Sequence, residues 1–111
     1  MPWSDGVIGF NWDDGNRDKC RKHGLTVEEI ESAFRRAMRV YADLAHSAYE
    51  TRYIGIGTST SGRYLLVVFT HREIAAQRRI RPISARFMHA KEIEHYEAQS
   101  EAAGEATEAQ N

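Results

Sequence analysis

Apolar and polar positions along this 111-residue chain change period from one segment to the next. Between Val27 and Met38 the residues Val27, Ile30, Ala33, Phe34, Ala37 and Met38 recur at the three-to-four spacing of one helix face. Thr26 stands before them as an N-cap, with Glu29 three residues on. Leu25 and Ile30 flank that box at the positions of a hydrophobic staple. This predicts an amphipathic helix. Upstream, Val7 to Trp12 reads as a short strand or extended segment, ended by Asp13, Asp14 and Gly15. Asn16 to His23 is polar and long enough for two helical turns. Gly24 then fits the position after a helix end, where a left-handed backbone favours glycine.

Downstream the period shortens to two. Arg39 to Asp43 reads as a strand, Leu44 to Tyr49 as a loop, and Arg52 to Gly57 as a half-buried strand alternating around Ile54 and Ile56. Ser59 to Gly62 is a turn. Tyr64 to Thr70 is a continuous apolar run, the signature of a central strand, and His71 to Gln77 reads as a loop. Arg78 to Arg86 is strand-like but contains Pro82, which cannot donate to a ladder. That strand is therefore expected at an edge or bulged at the proline. Ala90 to Ala98 closes the pattern as a last helix with Ile93 and Tyr96 inward. The expected fold is α+β: two N-terminal helices and a C-terminal helix on one face of a mainly antiparallel sheet of about four strands. One domain over residues 1–98 and an acidic, disordered tail over 99–111 follow from the same pattern.

Composition adds exclusions. With 41% hydrophobic and 28% charged residues and no apolar run of membrane-spanning length, a membrane protein is not expected. The start, MPWSDGVIGF, has no basic stretch and no apolar signal core. A cytoplasmic location is therefore expected. Cys20 is the single cysteine, so neither a disulfide framework nor a cysteine-based zinc site can form within one chain. The histidines His46, His71, His89 and His95 show no ligand-like spacing, and no metal or other cofactor is expected.

Charge sharpens the picture. The net charge of -1 includes Glu97, Glu101, Glu105 and Glu108 near the end; without them 15 bases face 12 acids. Residues 63 to 91 hold seven bases and one acid, Glu73, a composition suited to a phosphate-binding face. Lys22 and His23 have two readings. They are cations finishing a helix, which suits the dipole, or a phosphate contact beside a group that titrates near neutrality. Arg81 and Arg86, within RIRPISAR, are five apart and so on opposite faces of a regular strand; a bulge at Pro82 changes that parity. Each is either a phosphate ligand or half of an ion pair, as Arg86 with Glu92 or Glu50. Arg52, Arg63 and Arg72 have the same two readings, as phosphate ligands or as halves of ion pairs. Trp12, Phe10, Phe34 and Phe69 are expected in the core. Tyr53 and Tyr64 are placed either in cross-strand packing or on an outer face, stacking on a base.

Six words in order carry a resemblance: FNWD (10–13), KHG (22–24), ETRYIGIG (50–57), GRYLLVVFT (62–70), RIRPISAR (79–86) and Glu92…Tyr96. Together with the helix through Phe34 they resemble the BrnT family, the toxins of BrnT/BrnA type II toxin–antitoxin systems, over about residues 8 to 97. Two departures stand out. Pro82 replaces the middle isoleucine of a word usually closer to IRIISAR. Phe87, Met88 and His89 follow where small and basic residues are usual. The resemblance implies a RelE-like fold, RNA as substrate, and metal-independent endoribonuclease activity. It also implies a hetero-oligomer with a DNA-binding BrnA-like antitoxin. Cleavage by attack of the ribose 2′-oxygen on its own phosphate needs a proton acceptor, a proton donor and cations for the phosphorane. Lys22 and His23 are assigned to proton transfer or phosphate contact, Arg81 and Arg86 to charge stabilisation, Glu50 with Arg52 to a second rank, and Arg52, Arg63, Arg72 and Arg79 to RNA contact. A non-catalytic module binding RNA or antitoxin through the same basic face is the alternative.

Overall fold

The structure, a computed structural model, describes residues 2–46 and 48–99. After a 3-10 turn at Pro2–Ser4 come β1 (Val7–Phe10), α1 (Asp14–Arg21), α2 (Val27–Arg35), β2 (Arg39–Ala42), β3 (Tyr53–Thr58), β4 (Tyr64–Ile74), β5 (Gln77–Phe87) and a last helix, α3, over residues 90–99. The acidic tail beyond residue 99 lies outside the described residues.

Both N-terminal helices begin in reciprocal caps. The Asp13 carboxylate accepts the Asn16 N–H at 3.0 Å while the Asn16 amide oxygen accepts the Asp13 N–H at 2.7 Å. Thr26 and Glu29 repeat the arrangement at α2. Between them Gly24 turns the chain at φ +82°. α2 ends at Arg35, three residues short of the periodic run. Arg36 is extended and donates to the Thr58 carbonyl at 2.7 Å, and Met38 is drawn under the sheet instead.

The sheet has five strands rather than four, in the order β1-β5-β4-β3-β2. β1 is the added strand, and it pairs parallel with β5; its four residues were too few for periodicity to separate a strand from an extended lead-in. The other pairings are antiparallel. No loop separates β4 from β5. The strands run on to a two-residue turn at Ala75 and Ala76, with φ of 53° and 62°. A turn of that hand normally announces itself with Asn-Gly; two alanines hide it.

One sheet face meets α2 in the core. Leu65, Val67, Phe69, Ile80 and Ala85 pack there against Ile30, Ala33, Phe34, Met38, Cys20 and Leu25. Phe34 and Phe69 meet edge-to-face at 5.0 Å, and Phe10 reaches the same cluster. β3 turns Gly55 and Gly57, not the isoleucines, to this side, because Met38 fills the space a side chain would take: a Cβ on Gly55 would lie 2.6 Å from its sulfur. Ile54 and Ile56 pair with Val68 and Leu66 on the second face. α3 packs on that second face, where Tyr96 meets Tyr64 at 5.5 Å and Arg39 lies over its ring at 6.0 Å. The helices thus cover both faces, not one. Two apolar faces explain why a single alternation misjudged β3.

Candidate functional site: two cationic clefts joined by a bulge

The β4–β5 ladder sets the site. Val68 pairs with Ser84 but Phe69 pairs with Pro82, so Ile83 is an extra, bulged residue. Pro82 needs no ladder donor there. β1 ends at the level of Ile80, and α1 takes its place along the edge, where the Asn16 side chain donates to the Pro82 carbonyl at 2.8 Å and to the Asn11 carbonyl at 3.0 Å. The bulge changes parity. Pro82 and Ala85 both face the core, and Arg81 and Arg86, opposite Thr70 and Leu66, share the second face. Four ladder steps separate the two arginines, roughly 13 Å at a strand's rise per residue. One phosphate cannot bridge them.

Around Arg81 lies a cleft of about 300 Å³ lined by Gly15, Asn16, Lys19, Glu50, Arg52, Arg72, Arg81 and Ile83. The Arg81 guanidinium is fixed through both terminal nitrogens, one to the Asn11 amide oxygen at 2.8 Å and one to the Asp13 carboxylate at 2.7 Å. The bond from the Asn16 N–H, followed by that from Arg81, holds the Asp13 carboxyl below its usual range. Arg72 donates to Glu50 at 2.7 Å. Thr70, although on the second face, is buried because its hydroxyl donates to the Thr51 carbonyl at 2.7 Å, fixing the approach to β3. Lys19 reaches the cleft from α1 and has no ion-pair partner among the described residues. Four cations therefore surround one lining carboxylate.

Around Arg86 lies a second cleft, of about 420 Å³, lined by His23, Arg63, Arg86, Phe87, Met88 and His89. Here Arg86 is engaged head-on. Both terminal nitrogens donate to Glu92, at 2.7 and 2.8 Å, and the His89 backbone N–H adds a bond at 2.9 Å. Those bonds, Arg86's first, hold the Glu92 carboxyl down at about 2 and raise Arg86 in turn. Arg63 lies 3.7 Å above the Phe87 ring.

The expected catalytic four are therefore divided. Arg81 lines the first cleft. His23 and Arg86 line the second. Lys22, exposed at the end of α1, lines neither. Among the expected RNA contacts, Arg52 and Arg72 join Arg81, Arg63 joins Arg86, and Arg79 turns to the Phe10 carbonyl of β1 at 3.5 Å. Glu50 joins the first cleft. Tyr53 lies on the core face, stacked on Phe69 at 5.4 Å, and Tyr64 packs on Tyr96, so neither ring is available for a base. Sequence reasoning passed over Lys19 and the Asn11–Asp13–Asn16 bracket. The signal was there: Asp13 and Asn16 stand at capping-box spacing, and Lys19 follows one turn later. Among the described residues, no three His, Cys, Asp or Glu side chains are grouped to hold a metal ion, and no helix is long and apolar enough to cross a membrane.

Comparison with curated proteins finds no match. The family model described as ribonuclease toxin, BrnT, of type II toxin–antitoxin systems matches residues 12–92. That span runs from the Asp13 bracket to the Glu92 pair and contains the lining of both clefts. The family carries two functional terms, a ribonuclease activity and an antitoxin partner, and the cationic second face suits the first. With most of its length matched, the chain belongs to the BrnT family of type II toxin–antitoxin ribonuclease toxins.

Proposed function

We propose that this protein is a metal-independent endoribonuclease that cuts RNA by 2′-oxygen attack, and that the chemistry takes place in the Arg81 cleft. The convergence of Lys19, Arg52, Arg72 and Arg81 on a single carboxylate supports this reading. The reaction gathers negative charge on the nonbridging oxygens, which prealigned guanidinium groups stabilise. Arg81, held by Asn11 and Asp13, is prealigned in this sense. Glu50, oriented by Arg72, takes the proton from the 2′-hydroxyl as the new P–O bond forms. Lys19 gives a proton to the 5′-oxygen as the old bond breaks. The products are a 2′,3′-cyclic phosphate and a 5′-hydroxyl, and no metal enters the balance. The sheet with helices on both faces is read as RelE-like, and a BrnA-like, DNA-binding antitoxin as the partner that silences the toxin in a hetero-oligomer.

A second reading places proton transfer on His23 and charge stabilisation on Arg86, with Lys22 beside them. The shared cleft of His23, Arg86 and His89 favours it. One experiment separates the two. The purified protein is incubated with single-stranded RNA and excess chelator, and the product ends are identified. Cyclic-phosphate ends are expected, with Arg81→Ala and Glu50→Gln each lowering the rate by about 10²-fold or more, and His23→Ala by far less. The reverse order would move the chemistry to the second cleft. Binding without product ends would leave a non-catalytic RNA-binding module.

A further inference from the structure

The arginine cleft offers cations for a phosphate but no surface for a base. Single-stranded RNA is gripped through both, and the bases contribute by stacking on aromatic faces. On the second face Tyr64 is committed to Tyr96, and the exposed Tyr41, opposite Ile54, lines neither cleft. The segment leading into β3 carries the exception. Tyr49 is fully exposed, and its neighbours Glu50 and Arg52 line the arginine cleft. An adjoining hollow of about 450 Å³ is lined by Ala45, His46, Ala48, Tyr49, Glu50 and Arg52. The two spaces share Glu50 and Arg52, so one residue pair borders both.

The ends of this segment are fixed. The Asp43 N–H donates to the Arg52 carbonyl at 2.8 Å, and the Thr51 carbonyl accepts from Thr70. His46 is tied back as well, its Nδ1 3.1 Å from the Asp43 carboxylate, and it lines the hollow. A tyrosine ring left wholly in water buries none of the large apolar area that makes aromatics stabilising in a fold. A surface ring beside a phosphate-sized cationic cleft has the arrangement that single-strand binding uses.

We propose that Tyr49 is the stacking platform for a nucleobase adjoining the cleaved phosphate, in a subsite that takes an unpaired nucleotide. The proposal rests on the reading that RNA is bound in the Arg81 cleft. A base held in a duplex cannot leave its stack to reach the ring, so the subsite makes the toxin selective for single strands.

The test uses the full chain, a short single-stranded RNA of mixed sequence for cleavage, and the same oligonucleotide fully 2′-O-methylated, hence uncleavable, for binding. Because the Tyr49 ring is exposed, its replacement leaves folding intact. Tyr49→Ala is expected to raise KM and the Kd of the methylated strand about five-fold or more, with kcat held within about two-fold; Tyr49→Phe restores both. Tyr49→Trp is expected to give fluorescence quenched by that strand beyond what Trp3 and Trp12 show in the wild type. Unchanged KM and Kd in Tyr49→Ala, with cleavage still abolished by Arg81→Ala, overturns the subsite and leaves the ribonuclease reading standing. A fall in kcat at unchanged KM also overturns it. If the wild type neither binds nor cuts the RNA, both fall.

Discussion

The two clefts are built from the same materials and held in opposite ways. Each takes an arginine from β5, a residue from α1 or its end, and a carboxylate. At the Arg81 end the carboxylate, Asp13, takes one guanidinium nitrogen and also caps α1, so the helix and the arginine are positioned together. At the Arg86 end the carboxylate, Glu92, takes both guanidinium nitrogens and ties them to α3. An arginine that gives a single bond to a carboxylate and shares its cleft with other cations is prepared for a phosphate. An arginine that already holds a bidentate carboxylate has to give it up first. The face of the sheet does not distinguish the two ends; the number of cations around each arginine and the partners of its guanidinium do.

The parity set by the bulge at Ile83 makes this comparison possible, and shifting it would have the largest effect. Deleting Ile83 leaves Pro82 and Ala85 two positions apart, so both keep their face; an alanine inserted between Ser84 and Ala85 shifts the parity. Either Ile80 and Pro82 or Ala85 and Phe87 must then turn from the core to the second face. No repacking keeps both halves, so the expected cost is of the order of the whole stability of a small domain, roughly 5 kcal/mol or more. Ile83→Ala keeps the register and is expected to cost only about 1 kcal/mol. Thermal melts of the two variants check this. An insertion that still melts cooperatively near the wild-type temperature would mean that the parity is incidental.

Much of this fold was legible. The capping box at Thr26, the stop at Gly24, the central run at Tyr64 and the irregular strand at Pro82 are local signals with local causes, and each appears in the structure. The failures have causes of another kind. The faces of β3 were misjudged because glycines there are the core-facing residues and Met38 fills their space. The Ala75-Ala76 turn was hidden because its conformation is imposed by the two strands it joins. The site was half legible for the same reason. That the arginines of RIRPISAR could share a face depended on a bulge the proline hinted at. Which groups stand opposite each arginine depends on α1 replacing β1 along β5, a tertiary fact that no spacing encodes. Hence the sequence brought Lys22 and His23 forward and passed over Lys19, one turn earlier.

Next in size is the bracket behind Arg81. Asn16 is buried, and its side chain spends both amide hydrogens on the Asn11 and Pro82 carbonyls and its oxygen on the Asp13 N–H. Asn16→Ala leaves those groups unsatisfied and is expected to cost about 2 kcal/mol. It also releases Asn11 and Asp13 from their places, so the rate of RNA cleavage should fall although Asn16 donates to no substrate atom in the proposed mechanism. Measuring kcat well below the melting temperature separates the two effects. Loss of stability with cleavage unchanged would show that Arg81 needs no such bracket, and the contrast between the clefts would lose its basis.

The smallest effect belongs to the other end. The Arg86–Glu92 pair has both side chains 34% exposed, so solvent screening limits it to roughly 1 kcal/mol or less. Its pH dependence is nevertheless defined. Glu92 titrates at about 2 in the folded protein, below the 4.5 of a free glutamate. The folded state therefore binds fewer protons than the unfolded one between these values. The contribution of the pair is fully present above about pH 4.5 and is lost as pH falls through about 2. Over that interval α3 should loosen first, because its remaining hold on the second face includes the Tyr64–Tyr96 contact and the Arg39 contact with the same ring. Chemical shifts of the Tyr64 and Tyr96 rings, followed from pH 6 to pH 2, should move ahead of those of Phe34 and Phe69 in the core. Glu92→Gln should remove that early movement and leave cleavage at neutral pH within about two-fold of the wild type, because α3 stands at the far end of the sheet face from Arg81. A large loss of cleavage in Glu92→Gln would instead mean that the Arg86 carboxylate clamp takes part in the chemistry, and would make the two clefts one site.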